Sequence, residues 1–187
     1  MAFLTAEKLQ SVKENTGADR RYLAVGKLPD GQPIRLRVVG EGITGYVAWT
    51  EAKKPLRWEV LPDVLPENIR QDDNGDRSAK FFLTGIVWDY DNEIFRVMEL
   101  TQKKLISDMY KYMADEDYGD PSNYDIIITR TGSGLDTKYD LLPKPPTSFA
   151  DKAPEAVKIF KTLGWDLRKL YEGKHPWAEE GAEEVPF

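Results

Sequence analysis

Residues 33–40, PIRLRVVG, and residues 42–51, GITGYVAWTE, carry the pattern that decides the fold. In the first stretch, apolar Ile34, Leu36 and Val38 alternate with Arg35 and Arg37. This alternation predicts a half-buried strand with both arginines on its open face. The second stretch is rich in β-forming residues, and its glycines suit a bulge or a sharply coiled strand. Together they predict two successive strands of a coiled sheet.

The following segments extend this sheet. SAKFFLTGIVWDY (78–90) and EIFRVMEL (93–100) predict a hairpin around an Asp-Asn turn, with Trp88 in the core. TQKKLISDMYKYMADEDYG (101–119) predicts a helix with Thr101 as N-cap and Leu105, Met109 and Met113 in one apolar stripe. YDIIITRTGSGLDTKYDLLPKP (124–145) predicts a last hairpin. We therefore expect a mainly β fold with added helices, an OB-fold-like five-stranded antiparallel barrel with one helix before the last hairpin. The periodicity fits another small barrel equally well.

The chain divides into four predicted regions. We expect an N-terminal helix or arm over residues 1–20, a barrel core over 21–147, C-terminal helices packed on the core over 148–173, and a disordered acidic tail over 174–187. Pro154 near a helix start and Gly164 at its stop mark the first of the C-terminal helices. The connection over residues 52–77 is rich in Pro, Asp, Asn and Gly, and a loop of that length is either functional or disordered.

Composition excludes several classes of protein. The 187 residues contain no cysteine and one histidine, which excludes disulfide frameworks, thiolate metal sites and His-rich metal centres. We expect no metal and no other cofactor. The apolar start is too short for a signal peptide, and no run approaches the roughly 20 apolar residues that cross a bilayer. We therefore expect a soluble protein of the cytoplasm, that of a bacterial host cell if the protein is viral, and no membrane partner.

The net charge of −6 is unevenly distributed. Residues 178–187 hold four glutamates and no cation, so the rest of the chain carries only −2. Residues 1–60 carry ten Lys and Arg against seven Asp and Glu. A basic face on a nearly neutral body is compatible with this distribution.

Cations and aromatic residues alternate where no regular core face is expected. Single-stranded nucleic acid requires both, because cations follow phosphates and flat rings stack on bases. The alternative is that the aromatic residues fill the core and the cations are solvated. The candidates in the dense stretch are Arg35, Arg37, Tyr46, Trp49, Lys53, Lys54, Arg57 and Trp58, and later strands add Lys80, Phe82, Arg130, Lys138 and Tyr139.

Catalysis is not expected. The acidic groups Asp89 with Asp91, and Asp115 with Asp117 and Asp120, could hold a divalent metal, but they are more simply a hairpin turn and a helix exit. No Cys, no recognisable serine motif and no base beside a nucleophile are present. His175, next to Pro176, is interpreted as part of a linker.

The segment FRVMELTQKK to DLLPKP (95–145), with GDPSNYDIIITRTGSGLDTKY inside it, resembles the second half of single-stranded DNA-binding proteins encoded by tailed bacteriophages. GITGYVAWT, KPLRW and KFFLTGIVWDYD fit the same group, so that the resemblance covers roughly residues 30–150. It implies an OB-fold protein that coats single-stranded DNA in phage replication, recombination or repair. EAKKPLRW (51–58) and RTGSGLDTKY (130–139) would flank the DNA groove. Some phage proteins of this function carry a Cys/His zinc site, which this chain cannot form.

The C-terminal tip resembles that of a different family, the bacterial single-stranded DNA-binding proteins, which end in Asp-Asp-Ile-Pro-Phe. The corresponding residues here are Glu183, Glu184, Val185, Pro186 and Phe187. The resemblance implies a tail that repels DNA in cis and docks into basic, apolar pockets of replication or repair proteins.

The leading hypothesis is therefore a sequence-independent single-stranded DNA-binding protein without enzymatic activity. RNA stays open as a ligand, because stacking surfaces accept both unless the 2′-hydroxyl is contacted. The alternative is a non-catalytic interaction module, an acidic adaptor or inhibitor that binds a host DNA- or RNA-handling protein. The sequence leaves the oligomeric state open between monomer and dimer.

Overall fold

The computed structural model describes residues 20–177, which form a mainly β structure with a curled, open sheet and short helices. The strands are β1 (Tyr22–Leu23), β2 (Pro33–Trp49), β3 (Pro55–Trp58), β4 (Lys80–Asp89), β5 (Ile94–Leu100), β6 (Asp125–Thr131) and β7 (Lys138–Pro143). The α-helices are α1 (Lys103–Met113), α2 (Phe149–Lys152) and α3 (Pro154–Leu163). Short 3-10 helices cover Val25–Lys27, Pro121–Asn123, Gly134–Asp136 and Leu167–Glu172.

The sheet has the strand order β1-β5-β4-β2-β6-β7. Strand β3 lies outside this order and pairs with Tyr46–Trp49 of β2, whereas β6 pairs with Pro33–Arg37 of the same strand. Four of these strands, in the spatial order β6-β2-β4-β5, form a Greek key: β2, β4 and β5 follow one another along the chain apart from the short inserted β3, and β6 returns to lie beside β2. Helix α1 lies in that return connection, before the last hairpin, as predicted. The number of strands is seven rather than the predicted five, because β1 and β3 are additional.

The two strands predicted at residues 33–51 are one continuous strand, β2. The pairing of β2 with β4 shifts between Val39 and Ile43, so the predicted irregularity at the glycines is confirmed. Gly40 has φ +67, and a Cβ there would lie 3.0 Å from the Phe160 ring. A larger residue would therefore be strained in its backbone and crowded against α3.

Two apolar clusters cover the two faces of the sheet. The core face carries Leu36, Val87, Leu100 and Ile126, over which α1 packs with Leu105 and Met109. The helix face carries Val39, Ile86, Trp88, Phe95 and Val97, covered by Ala156 of α3 and by Leu167 and Leu170. Trp88 is 7% exposed, so its predicted core position is confirmed.

The helix signals were only partly correct. The N-cap of α1 is Gln102 rather than Thr101, and it makes no side-chain capping bond. Met113 is 47% exposed, in contrast to Leu105 and Met109 of the same predicted stripe. Pro154 does begin α3, and Gly164 ends it in the left-handed conformation.

Residues 174–177, predicted to open the flexible tail, are packed instead. Trp177 lies parallel to the His175 ring at 4.9 Å between centroids and contacts Tyr22 of β1 at 5.1 Å. The Tyr22 hydroxyl is hydrogen-bonded to His175 Nδ1 at 2.9 Å. His175 is therefore part of the fold and not a linker residue. The predicted N-terminal helix or arm (residues 1–20), apart from Arg20, and the acidic tip, with Glu183 to Phe187, lie outside the described residues.

No helix within residues 20–177 is both long enough and apolar enough to cross a membrane.

Candidate nucleic-acid interface

Three aromatic side chains form a row across three neighbouring strands. Tyr46 of β2 is paired with Trp58 of β3 on one side and with Phe81 of β4 on the other. Directly opposed residues of antiparallel strands point to the same face of the sheet. Tyr46 and Trp58 are half-buried, Phe81 is 42% exposed, and the Tyr46 and Phe81 rings meet edge-to-face at 5.7 Å. We call Trp58, Tyr46 and Phe81 the aromatic row.

Phe82 of β4 was predicted to contact nucleic acid, and the structure corrects this prediction. It is completely buried and faces the opposite side of the sheet, where its ring lies 6.3 Å from that of Tyr171. The exposed ring is that of Phe81, which sequence reasoning missed. Two adjacent phenylalanines leave open which of them is exposed, because both faces of β4 are apolar, with Leu83 and Val87 on the face of Phe81 and Ile86 and Trp88 on the other.

The cations and aromatic residues predicted between Arg35 and Trp58 are divided between the two faces of the sheet. Val47 is paired with Arg57 on one side and with Lys80 on the other, so both cations point away from the aromatic row. Trp49, two residues after Val47, alternates onto the same face and is 51% exposed. Lys80 is also exposed. Trp49 and Lys80 thus remain accessible, but they do not share a surface with Tyr46.

Arg57 is a structural residue rather than an exposed cation. Its side chain is only 7% exposed and donates from Nε to Glu99 Oε2 at 2.7 Å. The Thr84 hydroxyl lies 3.4 Å from the same carboxylate oxygen. Because the charge is buried and paired, Arg57 is not available to phosphates, and the prediction for this residue is wrong.

Arg35 and Arg37 are held by one buried carboxylate. Arg37, 0% exposed, donates from Nε to Asp125 Oδ1 at 2.6 Å, and Arg35 donates from Nε to Oδ2 at 2.7 Å. Lys152 of α2 and the Tyr90 hydroxyl also donate to Asp125, at 3.0 and 2.9 Å. Burial alone would raise the pKa of Asp125, but these hydrogen bonds outweigh burial and hold the pKa below its usual value.

Arg35 and Arg37 were predicted to lie on an open face of β2. At Arg37 this face is covered, so the prediction is corrected there. Arg37 also donates to the carbonyl oxygens of Ser122 and Thr147, both at 3.0 Å. Arg35 keeps 38% of its side chain exposed but is committed to Asp125. Burial is the largest cause that raises the pKa of Tyr90 to about 12, and the hydrogen bond to Asp125 is the next largest. This phenol therefore stays protonated in the cluster.

Lys53 and Lys54 form the turn between β2 and β3, and both are exposed. Lys53 has φ +61, a conformation that few non-glycine residues adopt. The turn is closed by Thr50 N donating to the Lys54 carbonyl at 2.9 Å and by Lys54 N donating to the Thr50 hydroxyl at 3.1 Å. The two cations thus project from the end of the hairpin whose strands carry Tyr46 and Trp58.

The β6–β7 hairpin carries the remaining predicted residues at the other end of β2. Arg130 is paired with Tyr139 on the core face, and Tyr139 packs against the first apolar cluster. Lys138 is exposed. Gly31 N, just before β2 begins, donates to the Arg130 carbonyl at 2.8 Å. These residues form a second group that is separate from the aromatic row.

The acidic turns have structural partners. Asp89 Oδ1 accepts from the backbone N–H groups of Asp91 and Asn92. Hydrogen bonds from Ser122 lower the pKa of Asp120. Among the described residues, no group of three or more His, Asp and Glu side chains is arranged to hold a metal ion.

Comparison of the chain with protein-family models, with curated proteins and with solved structures finds no significant match.

Proposed function

We propose that this protein binds single-stranded nucleic acid, and in the first place DNA, without sequence preference. The observation that carries the proposal is the aromatic row, three rings side by side with the central ring directly opposite both others. Stacking on each ring contributes about 1–3 kcal/mol per base and is tolerant of sequence, because every base has a flat face.

The spacing of the row supports this ligand. Neighbouring strands of a sheet lie about 4.8 Å apart, and the Tyr46 and Phe81 centroids are separated by 5.7 Å. An extended single strand that crosses β3, β2 and β4 can therefore place successive bases on successive rings. A duplex cannot, because its bases are already stacked on one another.

Charge supports the second half of the interaction. Lys53 and Lys54 project from the end of the hairpin and are free of ion pairs within the part of the chain that the structure describes. Cations in such a position contact phosphates, which gives affinity without reading base edges. Binding is then expected to weaken as salt rises.

We further propose that the sheet is an OB fold with two added strands. The Greek key and the helix before the last hairpin support this, as does the resemblance to phage single-stranded DNA-binding proteins. In such a fold, the β2–β4 connection, which contains β3, and the β6–β7 hairpin would correspond to the two loops through which OB folds bind oligonucleotides. The role would be to coat DNA in phage replication, recombination or repair in the bacterial cytoplasm, with the tail tip recruiting partners.

The test is the affinity of the full chain for labelled oligo-dT, measured by fluorescence anisotropy at low salt. We expect Phe81→Ala, Tyr46→Ala and Trp58→Ala each to weaken binding by roughly 5- to 150-fold, which corresponds to about 1–3 kcal/mol. The matched control is Tyr110→Ala on α1, because Tyr110 is 73% exposed but lies outside the row. This variant is expected to bind like the wild type.

A salt titration separates the charge contribution. Lys53→Gln and Lys54→Gln are expected to reduce the slope of log K against log salt by about 0.7 each for a single strand. A wild-type chain that binds neither oligo-dT nor oligo-U at low salt would refute the proposal and favour the interaction module. Binding that is unchanged in all three row variants would refute the assigned site.

A further inference from the structure

Trp49 is the most exposed of the five tryptophans, all of which lie within the described residues, and it has no role in the proposed function. It is 51% exposed, whereas Trp88 is 7% exposed and the other three are half-buried. Among the described residues, its ring contacts no other aromatic ring, and no cation lies over it. An uncovered indole ring is a surface on which a base can stack.

The backbone around Trp49 is fixed on both sides. Trp49 pairs with Pro55 of β3, and its carbonyl oxygen accepts from Arg70 N at 2.8 Å. Its neighbours Ala48 and Thr50 are 2% and 6% exposed. The ring is therefore presented at a defined position, from a packed strand end.

Two cations lie next to the ring. Lys80 of β4 is opposite Val47, which makes it the diagonal neighbour of Trp49 on the same face of the sheet. Diagonal neighbours are about 7–8 Å apart, within reach of long side chains. Arg70 is bonded to Trp49 through its backbone N–H. Both side chains are exposed, and neither takes part in an ion pair within residues 20–177.

The charge of the surrounding segments is balanced in sum but not in position. Residues 49–54 and 67–80 together contain five Lys and Arg and five Asp and Glu. Three of the acids lie in the turn over residues 72–76. Outside this turn, the same segments carry all five cations and only two acids, Glu51 and Glu67. The residues paired with or bonded near Trp49 are therefore predominantly cationic.

The rest of this face is closed by the C-terminal part of the chain. The Tyr171 hydroxyl donates to the Thr44 carbonyl at 2.7 Å, and the Tyr171 ring lies 6.3 Å from that of Phe82. Trp49 and Lys80 lie beyond this cover, at the end of the sheet where the Lys53–Lys54 turn joins β2 to β3.

The turn connects this open part to the aromatic row. The row crosses β2 at Tyr46, and Trp49 lies on the opposite face three residues nearer the turn. At about 3.3 Å per residue, this offset is about 10 Å along the strand. A nucleic-acid strand that leaves the row at Trp58, on the edge strand β3, can pass Lys53 and Lys54 and reach the opposite face over this short distance.

We propose that a longer single strand continues from the aromatic row around the end of the β2–β3 hairpin, where one base stacks on Trp49 and Lys80 and Arg70 contact phosphates. The proposal rests on the proposed function, which it extends to a second stacking surface on the other face of the same hairpin. Short strands then occupy the row alone, and longer strands bend around the hairpin and occupy both surfaces.

The test is the affinity of the full chain for oligo-dT of increasing length, from about 4 to 16 nucleotides, the range of site sizes of OB folds. Trp49→Ala is expected to bind the shortest strands like the wild type and to weaken binding of the longest by roughly 5- to 150-fold. Trp49→Phe, which keeps a ring, should retain most of the affinity. Ile159→Ala is the matched control, because Ile159 is 49% exposed but lies on α3.

The dependence on length separates a lost contact from a lost structure, since a misfolded variant would bind every length more weakly. Lys80→Gln is expected to reduce the slope of log K against log salt by about 0.7 with long strands and to leave it unchanged with short ones. Tryptophan fluorescence gives a second readout. Quenching that increases as the strand is lengthened should disappear in Trp49→Phe, whereas quenching by the shortest strands should remain.

The outcomes distinguish this inference from the function on which it rests. Row variants that weaken binding, together with a Trp49→Ala variant that binds every length like the wild type, would overturn the second surface and leave the proposed function intact. Equal weakening of all lengths by Trp49→Ala would place Trp49 in the first surface and also overturn the path around the hairpin. A wild-type chain that binds no length would overturn both.

Discussion

Replacing Asp125 by Asn tests whether the buried ion cluster stabilises the fold. Asn keeps the shape of the side chain but removes the negative charge that faces three cations. Arg35 and Lys152 are 38% and 31% exposed in their side chains, so water can compensate them in part. Arg37 is 0% exposed and cannot be rehydrated without local unfolding. The cost of the substitution is therefore dominated by Arg37.

The magnitude follows from this burial. Removing one partner of a buried ion pair costs about 3–5 kcal/mol, because the other charge is left uncompensated. Arg37 keeps hydrogen bonds to the Ser122 and Thr147 carbonyl oxygens, so we expect the lower end, about 3 kcal/mol. Domains of this size have a free energy of unfolding of about 5–15 kcal/mol. The variant should fold but be markedly less stable.

The pH dependence gives an independent check. The pKa of Asp125 is lowered in the folded state, so its contribution to stability is complete above the unfolded-state pKa of about 3.9 and is lost as the pH falls through the folded-state pKa. The difference in stability between wild type and Asp125→Asn should thus be constant from about pH 5 to 7 and shrink below about pH 4.

Urea denaturation followed by tryptophan fluorescence at several pH values measures both quantities. Asp140→Asn is the matched control, because Asp140 is exposed on β7 and is expected to change the free energy of unfolding by no more than about 0.5 kcal/mol at pH 7. A loss below about 1 kcal/mol for Asp125→Asn at pH 7, or a difference that does not shrink in acid, would refute the reasoning.

Two further predictions concern the residues around the aromatic row. Phe82→Ala should lower the free energy of unfolding by about 3–5 kcal/mol, whereas Phe81→Ala should lower it by less than about 1 kcal/mol; urea denaturation of both variants decides which ring is core. A Cβ at Gly45 would lie 2.3 Å from the Trp58 carbonyl oxygen, so Gly45→Ala should displace β3 and weaken oligo-dT binding about as much as Trp58→Ala, and wild-type affinity would contradict this.

The longest apolar patterns were sufficient to predict most of the sheet. Alternation identified the first half of β2, and β4, β5 and the β6–β7 hairpin followed from β-forming runs between turn signals. Strand β3 was missed because it has four residues, begins with Pro55 and lies inside a segment rich in loop-forming residues. Strand β3 is stabilised by its pairing with β2, and the local sequence of β3 holds no information about this partner.

The candidate site was predicted less well, because its geometry depends on pairing between distant strands. Alternation correctly placed Arg37 on one face of β2. It did not predict that the C-terminal helices cover this face, or that Arg37 is bound by the carboxylate of Asp125, 88 positions further along the chain. Tyr46 and Trp58 were identified because they lie in the stretch of sequence where cations and aromatic residues alternate. Phe81 was missed because it is aligned by its register with Tyr46, and no local signal reports that register.

The partners of β2 explain how one strand can serve both stability and the proposed binding of nucleic acid. Residues 33–37 pair with β6 and carry the arginines of the Asp125 cluster, whereas residues 46–49 pair with β3 and carry Tyr46. The irregularity between Val39 and Ile43 separates the two halves. Strand β3 lies outside the Greek key, so a substitution at Trp58 removes a ring without removing a strand of the core. Stability and nucleic-acid affinity should therefore respond to different substitutions in the same strand, with Asp125→Asn acting on the first half and Trp58→Ala on the second.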